Sequence, residues 1–223
     1  MAKQGNPPPP ASPSMERLLG GYRRFHQTGF ERRRERWAQL NEGQKPEVMI
    51  IACCDSRVDP AQIFDTDAGE VFVVRNVAAL VPPFEVSPGH HGVSAALEFA
   101  VQVLKVKEII VVGHGKCGGC QAALSRELLG TEPGKGGFVA DWISLLDEAR
   151  EEVVATVGDH GHEAEKAMEM AGVKVSLANL RTFPCIQQKE ANGTLKLSGA
   201  FFAISDGGLH LLDESTGIFS QVI

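Results

Sequence analysis

Short apolar runs alternate along this chain with longer segments whose apolar positions recur every three or four residues. The runs at 48–52, 71–74 and 109–112 are rich in valine and isoleucine and predict buried strands. Between the second and third, Val93, Ala96, Leu97, Ala100, Val101 and Leu104 fall at the spacing of one helix face. A short helix is predicted at 60–64 and another opening at Gly118, with further helical stretches at 138–156 and 163–180. Two last strands, 195–205 and 209–212, flank Asp206-Gly207-Gly208, a hairpin turn signal. Strand–helix alternation followed by a terminal hairpin predicts an α/β fold. Its central sheet is mainly parallel and flanked by helices, with an antiparallel C-terminal edge hairpin.

Ahead of this pattern, residues 1–14 include Pro7 to Pro10 in a row and predict a mobile tail. Residues 15–223 then read as one domain, of which 15–42 form a helical arm. The helix expected at 16–41 carries Arg32, Arg33, Arg34 and Arg36, interleaved with Glu31 and Glu35 at spacings that allow ion pairs. That pattern suits a solvated or partner-covering face better than a nucleic-acid surface. With 22 basic against 28 acidic residues, the chain has no global attraction to nucleic acid or anionic lipid. No apolar run approaches the roughly 18 residues of a spanning helix, and the N-terminus lacks a signal pattern. A cytoplasmic protein is expected. Five cysteines, two of them adjacent, argue against a disulfide framework and for metal ligation in a reducing compartment.

Two sulfur-bearing loops carry the candidate chemistry. Cys53-Cys54-Asp55-Ser56-Arg57 follows the first strand, and His114-Gly115-Lys116-Cys117-Gly118-Gly119 follows the third. If the two strands lie parallel and adjacent, Cys53, His114 and Cys117 meet at their carboxyl ends, where open α/β sheets place their sites. Two thiolates and an imidazole form a zinc set with one tetrahedral position left open, the pattern of a catalytic metal. Spacing alone leaves a second reading open: buried structural thiols beside an ordinary histidine.

The motifs C-x-D-S-R and H-x-x-C-G-G resemble those of the β-class carbonic anhydrases. Gly43-Gln44-Lys45-Pro46 resembles that family's G-Q-x-P, and 72–78 its F-V-x-R-N-V-A; 92–101 resembles a family helix that carries Glu98. The resemblance is strong over 22–129 and looser in the tail. It implies one zinc per chain on Cys53, His114 and Cys117, and reversible hydration of carbon dioxide to bicarbonate by zinc-bound hydroxide. Asp55, held by Arg57, would accept the hydroxide's hydrogen bond. Gln44 and the Gly118 N–H would donate to bicarbonate oxygens, while Phe72, Val77 and Phe99 form an apolar wall. Family wall residues come from a partner subunit, so a homodimer or dimer-based oligomer is implied.

Several positions bear on finer questions. Strand alternation turns Cys54 away from Cys53. The family position matching Cys120 does not bind metal, so Cys120 reads as a small buried residue at a helix start. Phe99 and Val103 remove two candidate proton shuttles, leaving buffer, His90 or His91. Family members regulated by bicarbonate use a tryptophan where Ile50 stands, and the lone tyrosine, Tyr22, lies far upstream. The open-site subclass, with Asp55 paired to Arg57, is therefore expected. Hydrolysis of carbon disulfide or carbonyl sulfide on the same fold, or a non-catalytic zinc-stabilised dimer, are the alternatives.

Overall fold

A computed structural model describes residues 12–222, so positions 1–11 of the expected tail lie outside the described residues. It divides into two compact units, Met1–Gln44 and Lys45–Ile223. In the first, α1 (Pro13–Arg24) starts inside the expected tail, with Ser12 capping it through a hydrogen bond from the Met15 N–H. A π-helical turn, Phe25–Phe30, follows, and α2 (Arg34–Asn41) begins after a break at Arg33. The single helix expected at 16–41 is therefore interrupted. The aromatic rings of Phe25, Phe30 and Trp37 pack on one another across the break, and this contact outweighs uninterrupted periodicity.

The second unit carries a six-stranded sheet. Its elements are β1 (Val48–Cys53), α3 (Pro60–Ile63), β2 (Val71–Asn76), α4 (Gly92–Glu98), β3 (Glu108–His114), α5 (Gly118–Ser125), α6 (Gly137–Ile143), α7 (Asp147–Thr156), α8 (His162–Leu180), α9 (Pro184–Ala191), β4 (Lys196–Ala203), β5 (Gly208–Asp213) and β6 (Ile218–Gln221). Strand order is β2-β1-β3-β4-β5-β6. The first four strands pair in parallel, and β5 and β6 close the edge antiparallel. The expected α/β architecture with its antiparallel edge is present. Two elements were not anticipated: α9, which starts at a proline that suits a first helical turn, and β6, a four-residue strand too short to show alternation. The stretch expected as one helix at 138–156 is broken by a 3₁₀ turn at Ser144–Leu146.

β1 is buried from Met49 to Cys53 because the sheet is covered on both faces. Met49 and Ile51 face one cluster with Leu97, Val101, Leu177 and Ile186, while Ile50 and Ala52 face another with Val112 and Ala200. Each such aliphatic side chain contributes roughly 1.5–3 kcal/mol by leaving water. Gly113 on β3 lets α8 approach closely: a Cβ there would stand 2.6 Å from Val173 Cγ2. The rigid centre of the sheet therefore fixes where β1 and β3 end.

Candidate metal centre

Ala52 pairs with Val112, so Cys53, the last residue of β1, and His114, the last of β3, emerge at the same sheet edge. Cys117 follows as the N-cap residue of α5. The sulfur or nitrogen ligand atoms of Cys53, His114 and Cys117 all lie within 4.8 Å of one another, and all three residues are buried. The two sulfurs are 4.0 Å apart. Two sulfurs held by one tetrahedral zinc at ~2.3 Å would lie roughly 3.8 Å apart, so the spacing fits. His114 Nδ1 sits 2.9 Å from the Gly115 carbonyl, to which it donates as Nδ1–H, leaving Nε2 as the acceptor nitrogen. That Nε2 is buried and has no hydrogen-bond partner. A buried lone pair facing two thiols is the donor set of a borderline-soft divalent cation.

Without a cation, the Cys53 thiol is pushed up to about 12 by sharing with Cys117 and by burial. Cys117 is also pushed up to about 12, chiefly by the neighbouring Cys120 thiol. A bound dication acts in the opposite sense and ionises coordinating thiols. Cys54 is exposed and Cys120 buried, as alternation and position predicted.

The loop after β1 is held by two arginines. Arg57 grips Asp55 with Nε on Oδ1 at 2.9 Å and Nη2 on Oδ2 at 2.6 Å, and the Arg57 N–H also donates to Oδ1. The same guanidinium donates to the Lys116 carbonyl at 2.9 Å, tying the two ligand loops together. Its hydrogen bonds hold Asp55 well below the usual carboxylate range. Arg75, on β2, donates to the carbonyls of Cys53 and Asp55 at 2.8 and 2.6 Å and pairs with Asp59 at 3.0 Å. Sequence reasoning gave Arg75 no role at the site; its motif position was visible, its target was not.

Glu169, buried on α8, was missed altogether. Its Oε1 accepts from the Cys117 N–H at 3.1 Å, next to Lys116, whose φ of 58° is left-handed. Burial pushes its carboxyl up, against the pull of the amides it accepts from. The signal available was a glutamate inside an otherwise apolar stretch of helix. Beneath α5, Gly119 permits close packing: a Cβ there would stand 2.7 Å from Val77 Cγ1 and 3.0 Å from Ala78 Cβ. Ala78 and Ala79 both have left-handed φ, of 62° and 56°. The Asn76 side chain holds that turn, donating to the Leu80 carbonyl and accepting from its N–H, both at 2.8 Å.

The remaining expected residues are not all brought together within one chain. Val77 packs against the cluster that contains Cys53 and Cys117. Phe72 and Phe99 pair with each other, centroids 5.9 Å apart. Phe72 lies opposite Met49, four positions before the Cys53 level, or about 13 Å down the strand. Gly118 opens α5 with free space beside it. Gln44 is the exposed last residue of the N-terminal unit.

Buried sulfur and nitrogen donors gathered at the carboxyl ends of a parallel sheet define an α/β protein with a candidate metal centre. The carbonic anhydrase family model matches residues 48–209. β Carbonic anhydrase 3 of Arabidopsis thaliana is 33% identical over 199 residues, 89% of this chain and 76% of that protein. The structure of the β-carbonic anhydrase CcaA superposes with a TM-score of 0.86 at 31% identity, covering 93% of this chain and 99% of that one. One of two tetrameric β-carbonic anhydrases from Sordaria macrospora gives a TM-score of 0.68 at 30% identity, covering 90% and 94%. The chain belongs to the β-class carbonic anhydrases, and with that class it is a carbonate dehydratase. No helix among the described residues is long and apolar enough to cross a membrane.

Proposed function

We propose that this chain hydrates carbon dioxide reversibly to bicarbonate and a proton, using one zinc held by Cys53, His114 and Cys117. The observation that carries the reading is the unpartnered, buried His114 Nε2 facing two thiols, beside an Asp55 locked by Arg57. Zinc, when bound there, supplies Lewis acidity that brings the pKa of a water from about 15.7 toward 7. Asp55 stays ionised through Arg57 and acts only as an acceptor, so it fixes the orientation of the attacking water. The Gly118 N–H is a donor to bicarbonate oxygens, and Val77 lends an apolar face for an uncharged substrate.

The same pairing supports the open-site subclass: both Asp55 oxygens are already taken up by Arg57. The distance of Phe72 and Phe99 from the ligand edge supports a wall completed by a second copy, in a homodimer or dimer-based oligomer. Tetrameric assembly of the Sordaria relative is in line with this. Five free cysteines support a reducing compartment, the cytoplasm. Stopped-flow carbon dioxide hydration, with zinc content measured on the same sample, tests the reading. Zinc-loaded protein without hydration activity would overturn it. Cooperative inhibition by bicarbonate would remove the open-site assignment alone.

A further inference from the structure

Cys117 is followed three residues later by Cys120, giving Cys117-Gly118-Gly119-Cys120 at the start of α5. Cys117 is the N-cap residue and Cys120 the third helical residue. Such positions lie roughly 5–6 Å apart at Cα, inside the range that a disulfide bridges. Both side chains are 3% exposed. Yet Cys120 is not among the atoms that cluster within 4.8 Å as a metal set. Its sulfur lies against Gly172 of α8. The ligand therefore has a second thiol nearby that the hydration reaction does not use.

From this arrangement we infer that Cys117 and Cys120 form a peroxide-sensitive dithiol, whose oxidation to a disulfide withdraws one of the three zinc ligands. The competing pair, Cys53 and Cys117, is anchored on two loops, by Arg75 on the Cys53 carbonyl and Glu169 on the Cys117 N–H. Closing its 4.0 Å gap to a bond of about 2.05 Å requires both loops to shift. Cys117 and Cys120 lie three residues apart at one helix start, so joining them requires no movement of one loop against the other. The oxidant is a small hydroperoxide, hydrogen peroxide being the simplest. The sulfur of Cys117, a thiolate when it ligates zinc, attacks one peroxide oxygen; the S–O bond forms, the O–O bond breaks, and the hydroxide that leaves takes a proton from solvent. Cys120 sulfur then attacks the sulfenic sulfur; the S–S bond forms, the S–O bond breaks, and water leaves with the Cys120 proton. One thiolate, one thiol, one solvent proton and one peroxide thus give one disulfide and two waters. A sulfur in a disulfide is no longer a thiolate donor, so the metal is released.

The inference rests on the zinc reading above only for this last consequence. The test starts from the full chain with its metal content measured. A chain that holds no zinc from the outset counts against the proposed function, whereas the disulfide can still be mapped. Hydrogen peroxide is added and zinc release followed with a chromogenic chelator, while non-reducing peptide mapping locates any disulfide. The expected result is one zinc lost per Cys117–Cys120 disulfide formed, both restored by dithiothreitol and added zinc. Cys120→Ala and Cys120→Ser, which keep zinc when reduced, should lose that recovery, because Cys117 without a resolving thiol oxidises on to the sulfinic acid. A Cys53–Cys117 disulfide in the wild type, zinc loss with no disulfide, no zinc loss at all, or full recovery in both variants would each overturn the inference.

Discussion

Replacing Arg57 with alanine tests whether the Asp55–Arg57 pair serves chemistry or only holds a loop. The substitution removes two side-chain hydrogen bonds to Asp55, at 2.9 and 2.6 Å, and one to the Lys116 carbonyl at 2.9 Å. Hydrogen bonds to charged groups contribute roughly 1.5–3 kcal/mol each when sheltered. Arg57, however, is 49% exposed against 18% for Asp55, so solvent screening leaves the pair only a small share in stability. The sign is fixed by Asp55, whose folded pKa lies below its ordinary value. Its stabilising share is present above the unfolded pKa of about 3.9 and is lost as pH falls toward the depressed folded value. The wild type and Arg57→Ala should therefore differ slightly in Tm at neutral pH and converge in strong acid. Activity should respond more than stability. If orienting Asp55 contributes about 1.5–2 kcal/mol to the barrier, kcat/KM falls roughly 10- to 30-fold, with zinc content unchanged. Stopped-flow hydration, metal analysis and thermal melts across pH measure these quantities together. Near-wild-type turnover would reduce the pair to a loop clasp, and parallel loss of zinc would show that Arg57 supports the ligands rather than the water.

Three further outcomes are expected. Cys53→Ser and Cys117→Ser should lose zinc and activity, because a neutral hydroxyl cannot replace thiolate charge; Cys54→Ser and Cys185→Ser should keep both, and zinc loss in Cys54→Ser would show the ligand register to be off by one. Glu169→Ala leaves the buried Cys117 N–H unpaired, at a cost of about 1–3 kcal/mol, and should lower Tm and weaken zinc in chelator competition, with Glu169→Gln milder. Gly119→Ala places a methyl 2.7 Å from Val77 Cγ1 and should cost about 1–3 kcal/mol by overpacking; adding Val77→Ala should recover part of that loss in thermal melts.

Much of the fold was legible because its signals are local. β1, β2 and β3 are short apolar runs, and one of the helical faces, at 93–104, has an unbroken periodicity. What escaped was decided by contacts distant in sequence or by breaks that periodicity does not register. The helical face at 93–104 gives way at Phe99–Leu104 to a π-helical turn that ends on a left-handed Lys105. α9 has little apolar signal of its own, Ile186 alone being buried, and β6, only four residues long, is marked as a strand by its pairing with β5. The arm was read as one helix because a run of arginines and glutamates carries no sign of where helical geometry changes.

The ligands were legible for a different reason: cysteine and histidine declare their chemistry by type, and each sits within a few residues of a strand end. The residues that aim them do not. Arg75 lies 22 residues from the carbonyl it holds and Glu169 lies 52 from the amide it accepts, and neither type nor spacing links them to a metal. Yet these contacts determine the donor geometry. Arg75 fixes the backbone on which Cys53 leaves β1, Glu169 fixes the turn that delivers Cys117, and Arg57 bridges the two through the Lys116 carbonyl. Outer partners of this kind orient first ligands and set their donor strength. The reactive part of this site is written in one short stretch after each strand, whereas its precision comes from side chains that fold onto it from β2 and α8.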